Sequence, residues 1–150
     1  MKKIVAVALS LIAFAAAGTV WAQRGYGRGR GGGRGWGPRS VYCRMYDPKT
    51  VETASGVISG IENFIPERGM STGVLITLQT DKETIPVHLG PSWYVDAQAT
   101  KLAVNDRIEV KGSRIAFNGK PALVAREIRV GKSVLQFRNA DGLPQWSRRR

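Results

Sequence analysis

The 150-residue chain holds a single cysteine, Cys43, and a single histidine, His88. One cysteine excludes an intramolecular disulfide framework, and the pair together cannot assemble a structural zinc set. Cys43 is followed by Arg44-Met45-Tyr46, not by the second cysteine and the histidine that covalent haem attachment needs. Acids are scarce, with 11 Asp+Glu against 23 Lys+Arg and a net charge of +12. No glycine-rich loop leads from a strand into a helix to hold phosphate, and no calcium-loop pattern occurs. No apolar run is long enough for a comfortable membrane span. Catalysis needs a positioned nucleophile, acid or base, and no such set stands out. The expectation is a non-enzymatic chain without a cofactor or metal. An enzyme built around His88 and Cys43 is the competing reading of lowest rank.

The positive charge that is present sits mainly at the ends. Ten of the 23 basic residues are Lys2, Lys3, Arg24, Arg28, Arg30, Arg34, Arg39 and Arg148 to Arg150. The middle of the chain is close to neutral, so an electrostatic partner meets the tails first. Met1-Lys2-Lys3, the apolar run Ile4 to Ala17 and then Val20-Trp21-Ala22 read as a secretory signal peptide over residues 1–22. Export into a periplasm follows from that reading. Residues 23–49 read as a disordered Gly/Arg-rich arm and linker: glycine at the density of residues 23–40 buries no apolar surface, and Val41 to Lys49 is a transition whose Tyr42, Met45 and Tyr46 could pack on the domain. In the arm, Arg24, Arg28, Arg30, Arg34 and Arg39 are the candidates for an anionic partner, with Tyr26 and Trp36 able to stack. Outside the cytoplasm that partner would be anionic lipid, lipopolysaccharide or an acidic protein rather than RNA. A solvated linker that binds nothing specific is the plainer alternative.

From Thr50 the pattern turns to strands. Val51 to Phe64 reads as one long strand bent at Gly56 and Gly60. Gly73 to Thr80 and Glu83 to Leu89 form a hairpin by spacing, and Ser92 to Lys101 is the one helix candidate after the leader. Arg107 to Phe117 carries a parity change that a bulge near Gly112 would reconcile. Asn118-Gly119 signals a tight hairpin turn into Lys120 to Val130, and Val134 to Arg138 adds a short edge strand. Three strands, a helix, then two strands is the order of an OB-fold, a five-stranded Greek-key barrel with one helix between strands three and four. The domain so expected covers residues 50–147, with 148–150 a basic tail. An SH3-like barrel or open sandwich competes, without a reason for a helix at that point.

An OB barrel binds through the face of strands two and three and the flanking loops. That makes Thr77, Gln79, Thr84, His88, Trp93 and Tyr94 the candidate ligand-binding residues. Trp93 and Tyr94 serve either as a stacking platform or as core. Arg107, Lys111, Arg114, Arg126 and Arg129 form a basic stripe interleaved with Glu109 and Glu127, the pattern of a solvated face. A protein or small ligand is the favoured partner. Nucleic acid, held by barrel and arm together, is the alternative.

The runs LGPSWYV from Leu89, LAVNDRIEVKGSRI from Leu102, NGKPALVAREI from Asn118 and FRNADGLPQW from Phe137 resemble a group of exported bacterial OB-fold proteins. The C-terminal domain of the magnetosome proteins MamS and MamX belongs to that group, and the YgiW-type periplasmic proteins are more distantly similar. The resemblance spans about residues 52–146. It implies the fold and an exported location. The haem-attachment sequences of the MamX type have no counterpart here, so a redox role is not implied.

Overall fold

The computed structural model describes residues 35–148. Residues 1–34, expected as a signal peptide and the start of the arm, and the last two arginines lie outside the described residues. Alternating apolar and polar positions with tight turns produce a mainly β unit. β1 (Val51–Phe64) is long because it serves two neighbours. Its first half, Val51 to Val57, pairs antiparallel with β4 (Arg107–Phe117), and its second half, Val57 to Phe64, with β2 (Gly73–Gln79). The two glycines mark the change of partner. A Cβ on Gly56 would stand 2.2 Å from the Gln79 carbonyl oxygen, and the β2 register shifts between Ile58 and Gly60.

β2 pairs with β3 (Thr84–Pro91), and β4 with β5 (Lys120–Val130), across the expected Asn118-Gly119 turn. Both turn residues have positive φ, 51° and 77°, as a type I′ turn requires. The expected bulge falls between Lys111 and Gly112, where a Cβ on Gly112 would meet the Val124 carbonyl oxygen at 2.5 Å. β6 (Ser133–Gln136) adds to the far side of β5. The strand order is β3-β2-β1-β4-β5-β6. A short parallel pairing of Val87 with Leu123 and His88 with Val124 joins β3 to β5, so the pairing β1-β2-β3-β5-β4 returns to β1. Ile58, Ile76, Leu78, Val87, Val110, Leu123 and Ile128 fill the space so enclosed.

The helix between β3 and β4 is one turn, α1 (Ser92–Val95), and not the ten residues to Lys101. A short helix needs tertiary packing to persist. Beyond Val95, the next small apolar residues, Ala97 and Ala99, are exposed and offer nothing to pack.

Part of the segment expected as a disordered arm and linker is packed. Trp36, Tyr42, Cys43 and Tyr46 are buried, Trp36 with 1% of its surface exposed. Aromatic residues at these spacings outweigh the local glycine content, since each ring buries a large area. Trp36 donates its indole N–H to the Ser71 carbonyl (2.9 Å), and Trp146 donates its own to the Trp36 carbonyl (2.8 Å). Asp47 N–H bonds the buried Ser113 hydroxyl at 3.0 Å. The strap 36–47 is therefore tied to the loop after β1, to β4 and to the C-terminal segment. Its Tyr46 and Met45 cover an outer apolar patch of Ile115, Ala122 and Val124. Arg138 completes this layer: its guanidinium donates to the Gly142 carbonyl (3.0 Å) and lies over the rings of Trp146 (5.3 Å) and Tyr46 (5.5 Å).

Candidate ligand-binding cleft

The shortness of α1 has a consequence at one end of the strands. The chain must still travel from Val95 to Arg107, and it does so without regular structure. Its hydrogen bonds on the way are local. Gln98 N–H reaches the Val95 carbonyl (3.2 Å), the Gln98 side-chain amide donates to the Tyr94 carbonyl (3.0 Å), and the Lys101 ammonium donates to the Asp96 carbonyl. The connection rejoins the sheet where Asn105 N–H bonds the Ile58 carbonyl and Ile58 N–H bonds the Asp106 carbonyl.

Under this connection lies a cleft of about 160 Å³. Its floor is apolar: Val74 and Ile76 of β2, Leu89 of β3, Leu135 of β6, and Phe137. Val95 and Leu102 close it from the connection, and Ile61, 40% exposed, stands at its edge. The rim is polar, with Asn63, Asp96, Gln98, Thr100 and Lys101. A second, shallower and more polar groove runs past Tyr94, Gln98, Val134, Gln136 and Gln145, so Gln98 borders both. An apolar floor with a few hydrogen-bonding groups at the mouth is the usual make-up of a small-ligand site.

The six residues expected to bind ligand fall in three places. Thr77, Gln79 and Thr84 share the outer face of the β2–β3 hairpin, where Gln79 stands opposite Thr84; Gln79 and Thr84 are exposed and Thr77 half-buried. Trp93 stays partly exposed (38%) on α1. Tyr94 is buried against Trp146 and Phe137, donates its hydroxyl to the Gln136 carbonyl (2.8 Å), and borders the second groove.

His88 does not line a groove. It does point away from Val87 and Leu89, as its alternation requires, but the strap covers that face and only 2% of His88 is exposed. Phe64 and Phe117 pack on its ring at 4.6 and 4.8 Å between centroids, and Tyr42 stacks at 5.9 Å. Tyr42 Oη lies 2.8 Å from His88 Nδ1. Burial holds the tyrosine proton on far above its usual range, so the pair shares one hydrogen bond between neutral groups. Burial also pushes the His88 pKa down to about 4. A neutral, enclosed imidazole is a core residue here.

The basic residues divide as well. Arg39 is exposed on the strap, whereas Arg24, Arg28, Arg30 and Arg34 lie outside the described residues. In the stripe, Arg114 bonds Glu52 of β1 through two nitrogens (2.8 and 3.1 Å) and also pairs with Glu83. That contact holds the Glu83 carboxyl below its usual range. Among the described residues no three of His, Cys, Asp and Glu come together as a metal-binding group, and no helix is long and apolar enough to cross a membrane.

Sequence reasoning missed the cleft residues Ile61, Asn63, Val95, Gln98 and Leu102. No local signal marked them, since Val95, Ala99 and Leu102 recur at i, i+4 and i+7 as a continuing helix would.

Residues 50–135, more than half of the chain, match the MamS/MamX magnetosome protein family. The chain belongs to that family. A search of curated proteins finds no match. The MamS/MamX match begins after the strap and ends before Phe137. It takes in every cleft residue except Phe137, while Trp36, Tyr42, Arg138 and Trp146 fall outside it.

Proposed function

We propose that this MamS/MamX family member is a non-enzymatic OB-fold binding module of the periplasm. The OB-fold reading is supported by the circular pairing β1-β2-β3-β5-β4 and by a helical turn between β3 and β4. The observation that carries the binding role is the apolar cleft of about 160 Å³ under the α1–β4 connection, with its polar rim. A small ligand, or a side chain of a protein partner, enters there. Export rests on the leader read from residues 1–22. The arginines of the arm give weak, salt-sensitive attachment to anionic lipid or lipopolysaccharide. Catalysis is disfavoured because Cys43 and His88, the most reactive side chains available, are both buried. The nucleic-acid alternative needs exposed rings for bases to stack on. Phe64, His88 and Phe117 would form such a platform, but Tyr42 packs over it.

Thermal-shift screening of the full chain against small amphiphiles and single-stranded oligonucleotides tests this reading, with Leu102→Trp as the filled-cleft comparison. Compounds that stabilise the wild-type chain should leave Leu102→Trp unmoved. Equal stabilisation of both proteins would remove the cleft from the mechanism. Salt-sensitive stabilisation by oligonucleotides alone would favour the nucleic-acid reading.

A further inference from the structure

The binding role proposed above leaves the ligand open, and the cleft's size and rim chemistry narrow it. A void of about 160 Å³ is close to the roughly 150 Å³ that accommodates one benzene ring, and well below the ~300 Å³ where sites for drug-sized ligands begin. The floor residues Val74, Ile76, Leu89, Leu135 and Phe137 offer no hydrogen bond to whatever sits on them. Specificity must come from the rim.

At the rim the donors are partly spent. One N–H of the Gln98 side-chain amide is held by the Tyr94 carbonyl, which orients that amide and leaves its oxygen and its second N–H to offer. The Lys101 ammonium gives one of its three donors to the Asp96 carbonyl. The Asp96 carboxylate is an acceptor only. The formal charges of Asp96 and Lys101 offset one another at the rim, and the Gln98 and Asn63 oxygens with the Asp96 carboxylate are acceptors, so a neutral ligand that donates is better matched here than an anion.

We propose that the cleft is a site for one small neutral ring of about six to nine heavy atoms bearing a hydrogen-bond donor, the class of phenol and indole. The ring lies on the Ile76–Leu89–Phe137 floor, and its O–H or N–H meets the Gln98 amide oxygen or the Asp96 carboxylate. A long acyl chain does not fit. A carboxylate head finds no net positive charge at a rim where Asp96 offsets Lys101.

Titration of the isotope-labelled full chain by NMR tests this, following the methyl groups of Ile61, Ile76 and Leu102 and the Gln98 side-chain amide. The probes are phenol, indole, toluene, benzoate and xenon. Phenol and indole should shift these signals saturably, with a dissociation constant on the order of 1 mM or below. Toluene should bind several-fold more weakly, and benzoate more weakly still. The shifts should vanish in Leu102→Trp, and in Ile76→Phe as a second filling variant in case the first fails to fold. Toluene or benzoate binding as tightly as phenol would overturn the donor assignment. Xenon shifting the cleft signals while no ring does would overturn the ring class but leave the cleft as a binding void. No response even to xenon would contradict the cleft itself, and with it the proposed function.

Discussion

Two apolar surfaces of this small sheet are finished differently. On the outside of the β3–β5 seam, the strap 36–47 lays Tyr42, Met45 and Tyr46 over Phe117, His88 and Val124, and the gap is filled to the point that His88 is 2% exposed. At the strand ends under α1, the chain crosses with Val95 and Leu102 as its main apolar contributions, and about 160 Å³ stays open. Aromatic rings close a surface because each covers a large area at small entropic cost; an alanine-rich connection cannot. The comparison separates a face sealed by aromatic packing from an end left open.

The largest test of the contrast is at the strap. Trp36→Ala removes the bond to Ser71 and edge-on contacts with Tyr42, Phe64 and Trp146. It should cost about 3–5 kcal/mol by denaturant titration. A loss under about 1 kcal/mol would mean the strap is an ornament on an independent sheet.

Next comes pH. The enclosed His88 titrates near pH 4 in the folded chain against an ordinary 6.5. Between those values the unfolded chain binds the extra proton. Stability is therefore fully present above pH 6.5 and falls as the pH drops toward 4. The expected loss from this residue is about 3 kcal/mol, and the corresponding slope should disappear in His88→Gln. An unchanged slope in that variant would place the titration elsewhere.

At the open end the effects shrink. Leu102→Ala, on a half-buried wall of the cleft, should cost only about 1 kcal/mol, since part of that surface is already unfilled. A cost equal to that of Trp36→Ala would erase the distinction between the two regions. The smallest change is Glu52→Gln, which weakens a partly exposed ion pair with Arg114. It should cost less than about 1 kcal/mol and less still in high salt, measured by denaturation at two ionic strengths.

The strands were legible because their signals are local. Val51 to Phe64, Arg107 to Phe117 and Lys120 to Val130 are rich in β-branched and apolar residues and are bounded by glycine, asparagine or proline, and these bounds agree with β1, β4 and β5. The fate of His88 was not legible. Its cover comes from Tyr42, 46 residues away, in a transition stretch whose rings could pack on the domain but carry no local signal of which face they meet. Trp36 was read as a free stacking ring because composition averages over a window and hides two or three anchors within it. Thr77, Gln79 and Thr84 were placed on the correct outer face by alternation, yet that face carries no cavity among those described. The cleft depends on α1 stopping after one turn, and the end of a short helix is set by what it can pack against.

Native-state hydrogen exchange measures both regions at once. The amides of Arg44 and Met45, bonded within the strap to Ser40 and Tyr42, should exchange with protection close to that of the central strands. The Gln98 amide, bonded only to Val95 in the connection over the cleft, should exchange at least about 100-fold faster through local opening. Strap amides that exchange as fast as Gln98, or a Gln98 amide as protected as β4, would contradict the division between a sealed face and an open one.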